Sequence, residues 1–129
     1  MFRHVSKLLL PFAASIALYA GVSLAHHSTA MFEAEKTIKL VGTVKEFQWT
    51  NPHSWIQLNV ANPAGVIEEW SIEGTSPNQL IRMGWKPGTL KPGDAVTVMT
   101  RPMKDGAKGG MFVEITLADG TVLKQTAAR

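Results

Sequence analysis

From Thr37 onward the chain alternates between apolar and polar positions. Ile38, Leu40, Gly42 and Val44 fall on one face of an extended segment, the period-two signature of a β-strand. The apolar set then moves to Phe47 and Trp49, an odd step. Successive side chains of a strand point to opposite faces, so an odd step predicts a bulge or bend near Lys45-Glu46. Gly42 inside the run predicts close backbone approach or strong coiling. Thr50-Asn51-Pro52 reads as a turn. His53 to Val60 reads as a second strand, with Ile56, Leu58 and Val60 inward and His53, Trp55, Gln57 and Asn59 on the other face. Asn62-Pro63-Ala64-Gly65 is turn chemistry and predicts a hairpin to a third strand, Val66 to Glu73, with Trp70 and Ile72 facing the core.

Ser76-Pro77-Asn78-Gln79 reads as a helix start. Ser76 supplies the cap, Pro77 the first helical position and Gln79 the return bond of a capping box. Leu80, Ile81 and Met83 follow, Gly84 is a left-handed stop, and Trp85 is placed to pack back on Leu80. Lys91-Pro92-Gly93-Asp94 turns the chain into a strand over Ala95 to Arg101, with Val96 and Val98 inward. Lys104 to Gly110 reads as a flexible hairpin loop. Met111, Val113, Ile115 and Leu117 then alternate as one inward face, and Asp119-Gly120 leads to a short strand at Thr121–Lys124. Three strands, a short helix and two or three more strands predict an all-β fold with one short helix. A long, bulged, glycine-containing first strand suits a small closed barrel. The expected architecture is an OB-fold-like barrel of five to six strands, which places its helix between strands three and four. A small β-sandwich is the alternative, and an immunoglobulin-like one fits less well without cysteines.

Residues 1–25 change this picture. Arg3, His4 and Lys7 form a basic start, Leu8 to Leu24 is mostly apolar, and Ser23-Leu24-Ala25 has small residues where a signal peptidase needs them. An uncleaved anchor is the rival reading, but the run is short, holds Pro11 and carries small residues. The expected organisation is a signal peptide over 1–25, an extended segment over 26–36 running along the surface, a barrel over 37–125 and a frayed tail over 126–129. The product is expected to be periplasmic or secreted, with no stable membrane insertion after cleavage. The chain has no cysteine, so neither an acylated cysteine nor a disulfide contributes and the core must supply the stability. The formal charge of +3 loses Arg3 and Lys7 on cleavage. A near-neutral exported domain has no electrostatic case for binding nucleic acid.

Gly42-Thr43-Val44, Trp49 through Ile56 (WTNPHSWI) and Glu69 through Gly74 (EWSIEG) resemble a family of small exported bacterial proteins classed as a domain of unknown function. The resemblance extends to His26-His27-Ser28 and to Lys91-Pro92-Gly93-Asp94, and so covers nearly all of the chain beyond the signal peptide. It implies an OB-like fold. It transfers no activity and no site residues, so function rests on the residues themselves.

Cleavage after Ala25 would make His26 the first residue. Its α-amine, with a pKa near 8, and its Nδ1 then chelate one ion. His27 or His53 can add a third nitrogen, and nitrogen ligands in a plane favour Cu(II). Met31 is a nearby soft ligand for Cu(I). The bland alternative is a solvated His-His terminus, with His53 serving only to satisfy the Asn51-Pro52-His53 turn. Trp49, Asn51, Trp55 and Gln57 are the candidate ligand- or partner-binding residues, because OB-folds bind across their second and third strands. The other reading of Trp55 is burial under the N-terminal segment or the helix; cover by the N-terminal segment would bring His26 or His27 towards His53. Glu69 and Glu73 share a strand face but lie about 13 Å apart, so a solvated face is expected rather than an acid/base pair. Lys104 to Gly110 lacks the spacing of a phosphate loop.

No catalytic residue is expected and no enzyme activity is assigned, because no Ser or Cys nucleophile has an evident His/Asp partner. The favoured reading is a non-enzymatic exported binding module for a small ligand, a metal ion or an envelope protein. In its specific form it binds copper through His26, His27 and His53. The alternative is a structural or interaction protein of the envelope that uses the Trp55 face.

Overall fold

A computed structural model describes residues 29–125. The expected signal peptide, its cleavage point, His26, His27 and the 126–129 tail lie outside the described residues. The first strand, β1 (Ile38–Gln48), has neighbours on both sides. Its second half pairs with β2 (Trp55–Ala61) from Gly42 to Gln48, and its first half pairs with β4 (Ala95–Pro102) from Ile38 to Thr43. The two halves therefore belong to different walls of a barrel. The β1–β2 register slips between Val44 and Glu46, where the odd step in the hydrophobic pattern requires a bulge. A Cβ on Gly42 would sit 2.1 Å from the Asn59 carbonyl oxygen, so the strand coils tightly enough there to exclude any side chain.

The hairpin to β3 (Ile67–Glu73) is set by Asn62. Its Oδ1 accepts from the N–H groups of Ala64 and Val66, and its own N–H donates to the Val66 carbonyl. The register that follows puts Ile56 opposite Ile72 and Trp55 opposite Glu73. Ile56, Leu58 and Val60 are buried as the alternation predicts, and Trp70 is only partly buried against the core.

The helix α1 (Pro77–Arg82) begins at Ser76, whose side chain accepts from the Gln79 N–H. The capping box does not form: Gln79 Oε1 accepts from the Thr75 hydroxyl instead. The helix stops as predicted at Gly84, with φ of 86°. The N–H groups of Gly84 and Trp85 donate to the carbonyls of Ile81 and Leu80, the paired bonds of a glycine stop. Ile81 faces solvent, while Leu80 and Trp85 are each 2 % exposed. Trp85 lies edge-on to Phe112 at 5.6 Å and tilted to Phe47 at 5.9 Å, and its Nε1 donates to the Lys124 carbonyl.

The barrel closes where the sequence predicts a loose loop. β5 (Gly109–Leu117) starts at Gly109, and Ser71, Ile72 and Glu73 pair in parallel with Gly109, Gly110 and Met111. Strand order β1-β2-β3-β5-β4 then returns to β1, and β6 (Val122–Lys124) adds to the second half of β5. This is the OB-like arrangement, a five-stranded mixed barrel with one extra strand.

Gly109 and Gly110 are buried in the seam rather than exposed at a tip. A Cβ on Gly110 would meet Thr100 Oγ1 at 2.3 Å and the Arg101 carbonyl oxygen at 2.7 Å. Lys108 ties the loop down further. Its carbonyl accepts from the Ser71 N–H, and its ammonium lies 3.1 Å from Glu68 and 5.6 Å from the centre of the Trp70 ring. The Asn62 amide, and then Lys108, hold the Glu68 carboxyl below its ordinary pKa. The small stabilisation of this surface group is present at neutral pH and is lost as pH falls through its lowered pKa.

The expected single face of β5 is broken. Met99 opposes Glu114 but Thr100 opposes Phe112, so Val113 is an extra residue. Ile115 and Phe112 are both buried, on opposite sides of this bulge. The one-residue slip turns Phe112 inward and Met111 outward. The segment before β1 also differs from expectation. A single 3-10 turn spans Thr29–Met31, Phe32 is 5 % exposed and bridges Met103, and the Glu33 N–H donates to the Pro102 carbonyl at 2.9 Å. Among the described residues no helix is long and apolar enough to cross a membrane.

Gly110→Ala should destabilise the protein by about 1–3 kcal/mol, the usual cost of forcing atoms into a packed site. Gly88→Ala, where an added Cβ meets nothing within 4 Å, should change stability by less than about 0.5 kcal/mol. Urea unfolding midpoints of the two variants check this.

Candidate functional site

Ser54 and Gly74 create the site by clamping two chain segments together. The Ser54 N–H donates to the Thr75 carbonyl at 3.0 Å, its hydroxyl donates to the same oxygen at 2.8 Å, and its carbonyl accepts from the Gly74 N–H at 2.9 Å. A Cβ at position 74 would stand 2.5 Å from Ser54 Oγ, so only glycine permits this approach. The clamp sets His53, at the entry to β2, beside Glu73, at the end of β3. His53 Nδ1 contacts Glu73 Oε1 directly. The Thr50 hydroxyl donates to the His53 carbonyl at 2.8 Å and steadies the turn that carries the ring.

Glu73 points out of the barrel, opposite Trp55, yet it is only 7 % exposed. The expected solvated carboxylate is instead covered. Glu69 does lie in solvent, paired with Lys45. Glu73 lines a cleft of about 210 Å3 together with Thr29, Phe32, His53, Gly74, Thr75, Met111 and Gln125. Gln125 Nε2 donates to the Phe112 carbonyl at 2.7 Å and fixes that wall. The imidazole is the more accessible member of the pair, with 31 % of its side chain exposed.

A covered carboxylate is costly to hold without a partner. The imidazole supplies one, as an ion pair when protonated and as an Nδ1–H donor when neutral. In the neutral form the carboxylate selects the tautomer with its lone pair on Nε2, the arrangement that orients a metal-binding histidine. The pair does not form a nucleophilic relay with Ser54, which is 1 % exposed and whose hydroxyl is committed to the Thr75 carbonyl.

The other sequence-derived candidates separate into two groups. Trp55 and Gln57 share the outer face of β2, and Gln57 Nε2 donates to Gln48 Oε1 at 3.2 Å. Trp49 lies edge-on to Phe47 at 5.6 Å, packed against the core. Asn51 is exposed, before a cis bond to Pro52. Met31 is 43 % exposed and does not line the cleft, whereas Met111 does. Among the described residues no three of His, Cys, Asp or Glu form a metal cage. His26 and His27 lie outside the described residues, but Thr29, two positions after His27, lines the same cleft as His53.

Sequence reasoning missed Glu73 and Met111. The Asn62–Gly65 turn contained the signal for Glu73, because continuing its hairpin register pairs Trp55 with Glu73 and brings His53 within a diagonal step. Met111 depends on the Val113 bulge, which the β5 pattern does not announce.

A matching family pattern covers residues 14–113, most of the chain and every residue of the clamp. The chain belongs to the family of unknown function DUF6152. No curated protein and no solved structure matches it. The DUF6152 match ends inside β5 and includes His53, Ser54, Glu73, Gly74 and Met111, while Gln125 on the cleft wall lies beyond it.

His53→Ala leaves Glu73 covered and unpartnered and should cost about 1–3 kcal/mol. Adding Glu73→Gln to that background should recover part of the loss. A double-mutant cycle in urea should give a coupling of about 0.5–3 kcal/mol, and zero coupling would show that the contact contributes nothing to stability.

Proposed function

We propose that this chain is an exported, non-enzymatic binding module that holds copper. The α-amine and imidazole of His26, exposed by cleavage after Ala25, supply two nitrogens, and His53 or His27 completes the set. The observation that carries this reading is the Glu73-oriented imidazole of His53 in a cleft also lined by Thr29. Chain geometry limits His27 to about 7 Å and His26 to about 11 Å from Thr29. Nitrogen donors favour Cu(II) above the other divalent first-row ions. Without cysteine the chain offers no thiolate to compete. Export to the periplasm or beyond belongs to the same proposal, because it supplies the free amine.

A second reading rests on Trp55. It is half-buried on the outer face and stands outside the core cluster, so an envelope partner could dock there. Trp55→Ala combined with Gln57→Ala should abolish such capture and leave copper affinity intact.

Calorimetry and electron paramagnetic resonance on the processed protein test the copper reading. Cu(II) should bind stoichiometrically, and His26→Ala or one residue added before His26 should remove the site. Glu73→Gln should weaken binding by about 10–100-fold, the usual effect of losing the carboxylate behind a histidine ligand. Binding indifferent to both changes at position 26 would overturn the reading.

A further inference from the structure

Met111 lines the cleft beside Glu73. Met111 pairs with Glu73 across the parallel seam, and neighbouring strands lie about 4.8 Å apart. Three consecutive features hold it there. Gly109 and Gly110 permit the close seam, and the Val113 bulge turns Met111 out of the core and onto the cleft that it lines with His53. With a regular alternation, Met111 would share the inward face of Ile115 and be lost to the cleft. Met103 is packed beside Gly109, and neither it nor Met31 lines the cleft.

We propose that Met111 is a soft ligand of this cleft, so that the site binds Cu(I) as well as Cu(II). This rests on the copper reading above and adds the oxidation state and a ligand to it. Thioethers and imidazoles suit Cu(I), while the amine and imidazoles of the amino terminus suit Cu(II). Phe32 forms another part of the same wall. An apolar wall lowers the local dielectric and favours the ion of lower charge.

Met111→Leu tests the assignment, because this swap conserves volume and is well tolerated in packed sites. Processed wild-type and variant proteins are compared for Cu(I) by anaerobic competition with a chromophoric chelator, and for Cu(II) by calorimetry. An unchanged urea midpoint shows that the variant is folded. The expected result is a loss of Cu(I) affinity of about tenfold or more, with Cu(II) affinity unchanged. X-ray absorption of the Cu(I)-loaded wild type should show a sulfur scatterer that the variant lacks. Equal Cu(I) affinity in both proteins, or no sulfur scatterer in wild type, overturns the assignment. His26-dependent Cu(II) binding beside Met111-independent Cu(I) binding overturns this inference alone. Met111-dependent Cu(I) binding without any Cu(II) binding supports the thioether site and overturns the amine-based one.

Discussion

The parallel contact between β3 and β5 is the constraint on which the rest depends. It joins strands far apart in sequence and converts an open sheet into a barrel. Parallel pairing here is only three residues long, so it tolerates little disturbance. A side chain at Gly110 would strike Thr100 and the Arg101 backbone, and one at Gly109 would press on Ser71 and Met103. The seam is reinforced from outside by Lys108 on Glu68 and Trp70, and from inside by the Thr100 hydroxyl on the Met111 carbonyl at 2.8 Å. Closure encloses the aromatic contact of Trp85 with Phe112 and sets Glu73 beside Met111.

The site is a consequence of that closure. A carboxylate at the end of an outer strand face would ordinarily be hydrated. Here the Ser54–Gly74 clamp, the seam and the turn at Thr29–Met31 surround it, leaving His53 as its ionisable partner in direct contact. Covering a charge next to an imidazole has an energetic cost that a purely structural surface would avoid. The arrangement orients the ring, and it puts a titratable nitrogen, a carboxylate and a thioether around one small cleft. The Ser54 hydroxyl beside them is already bonded to the Thr75 carbonyl and takes no part in a relay with the imidazole.

Most elements could be read along the chain because their signals are local. The β1 bulge follows from an odd step in alternation, the β2–β3 hairpin from the bonding capacity of Asn62, and the helix stop from Gly84. Errors arose where a local pattern met a distant partner. Lys104 to Gly110 has loop composition, but Gly110 is required by Thr100 and the backbone of β4, and Gly109 packs tightly against β3. Met111, Val113, Ile115 and Leu117 alternate correctly in isolation, yet a bulge chosen by pairing with Thr100 and Met99 reverses the face. Gln79 has the spacing of a capping box, but the hydroxyl of Thr75 captures its side chain.

The sequence by itself determined the all-β class, the OB-like order of elements, the family and the choice of His53 as a residue of interest. Periodicity and turn chemistry act over a few residues, so they can be read without knowing what lies opposite. Only the tertiary structure decided that Glu73 is covered rather than solvated, that Met111 rather than Met31 faces the cleft, and that Thr29 shares that cleft with His53. Those outcomes depend on register between distant strands, where a slip of one residue reverses every side chain, and that register is set by closing the barrel.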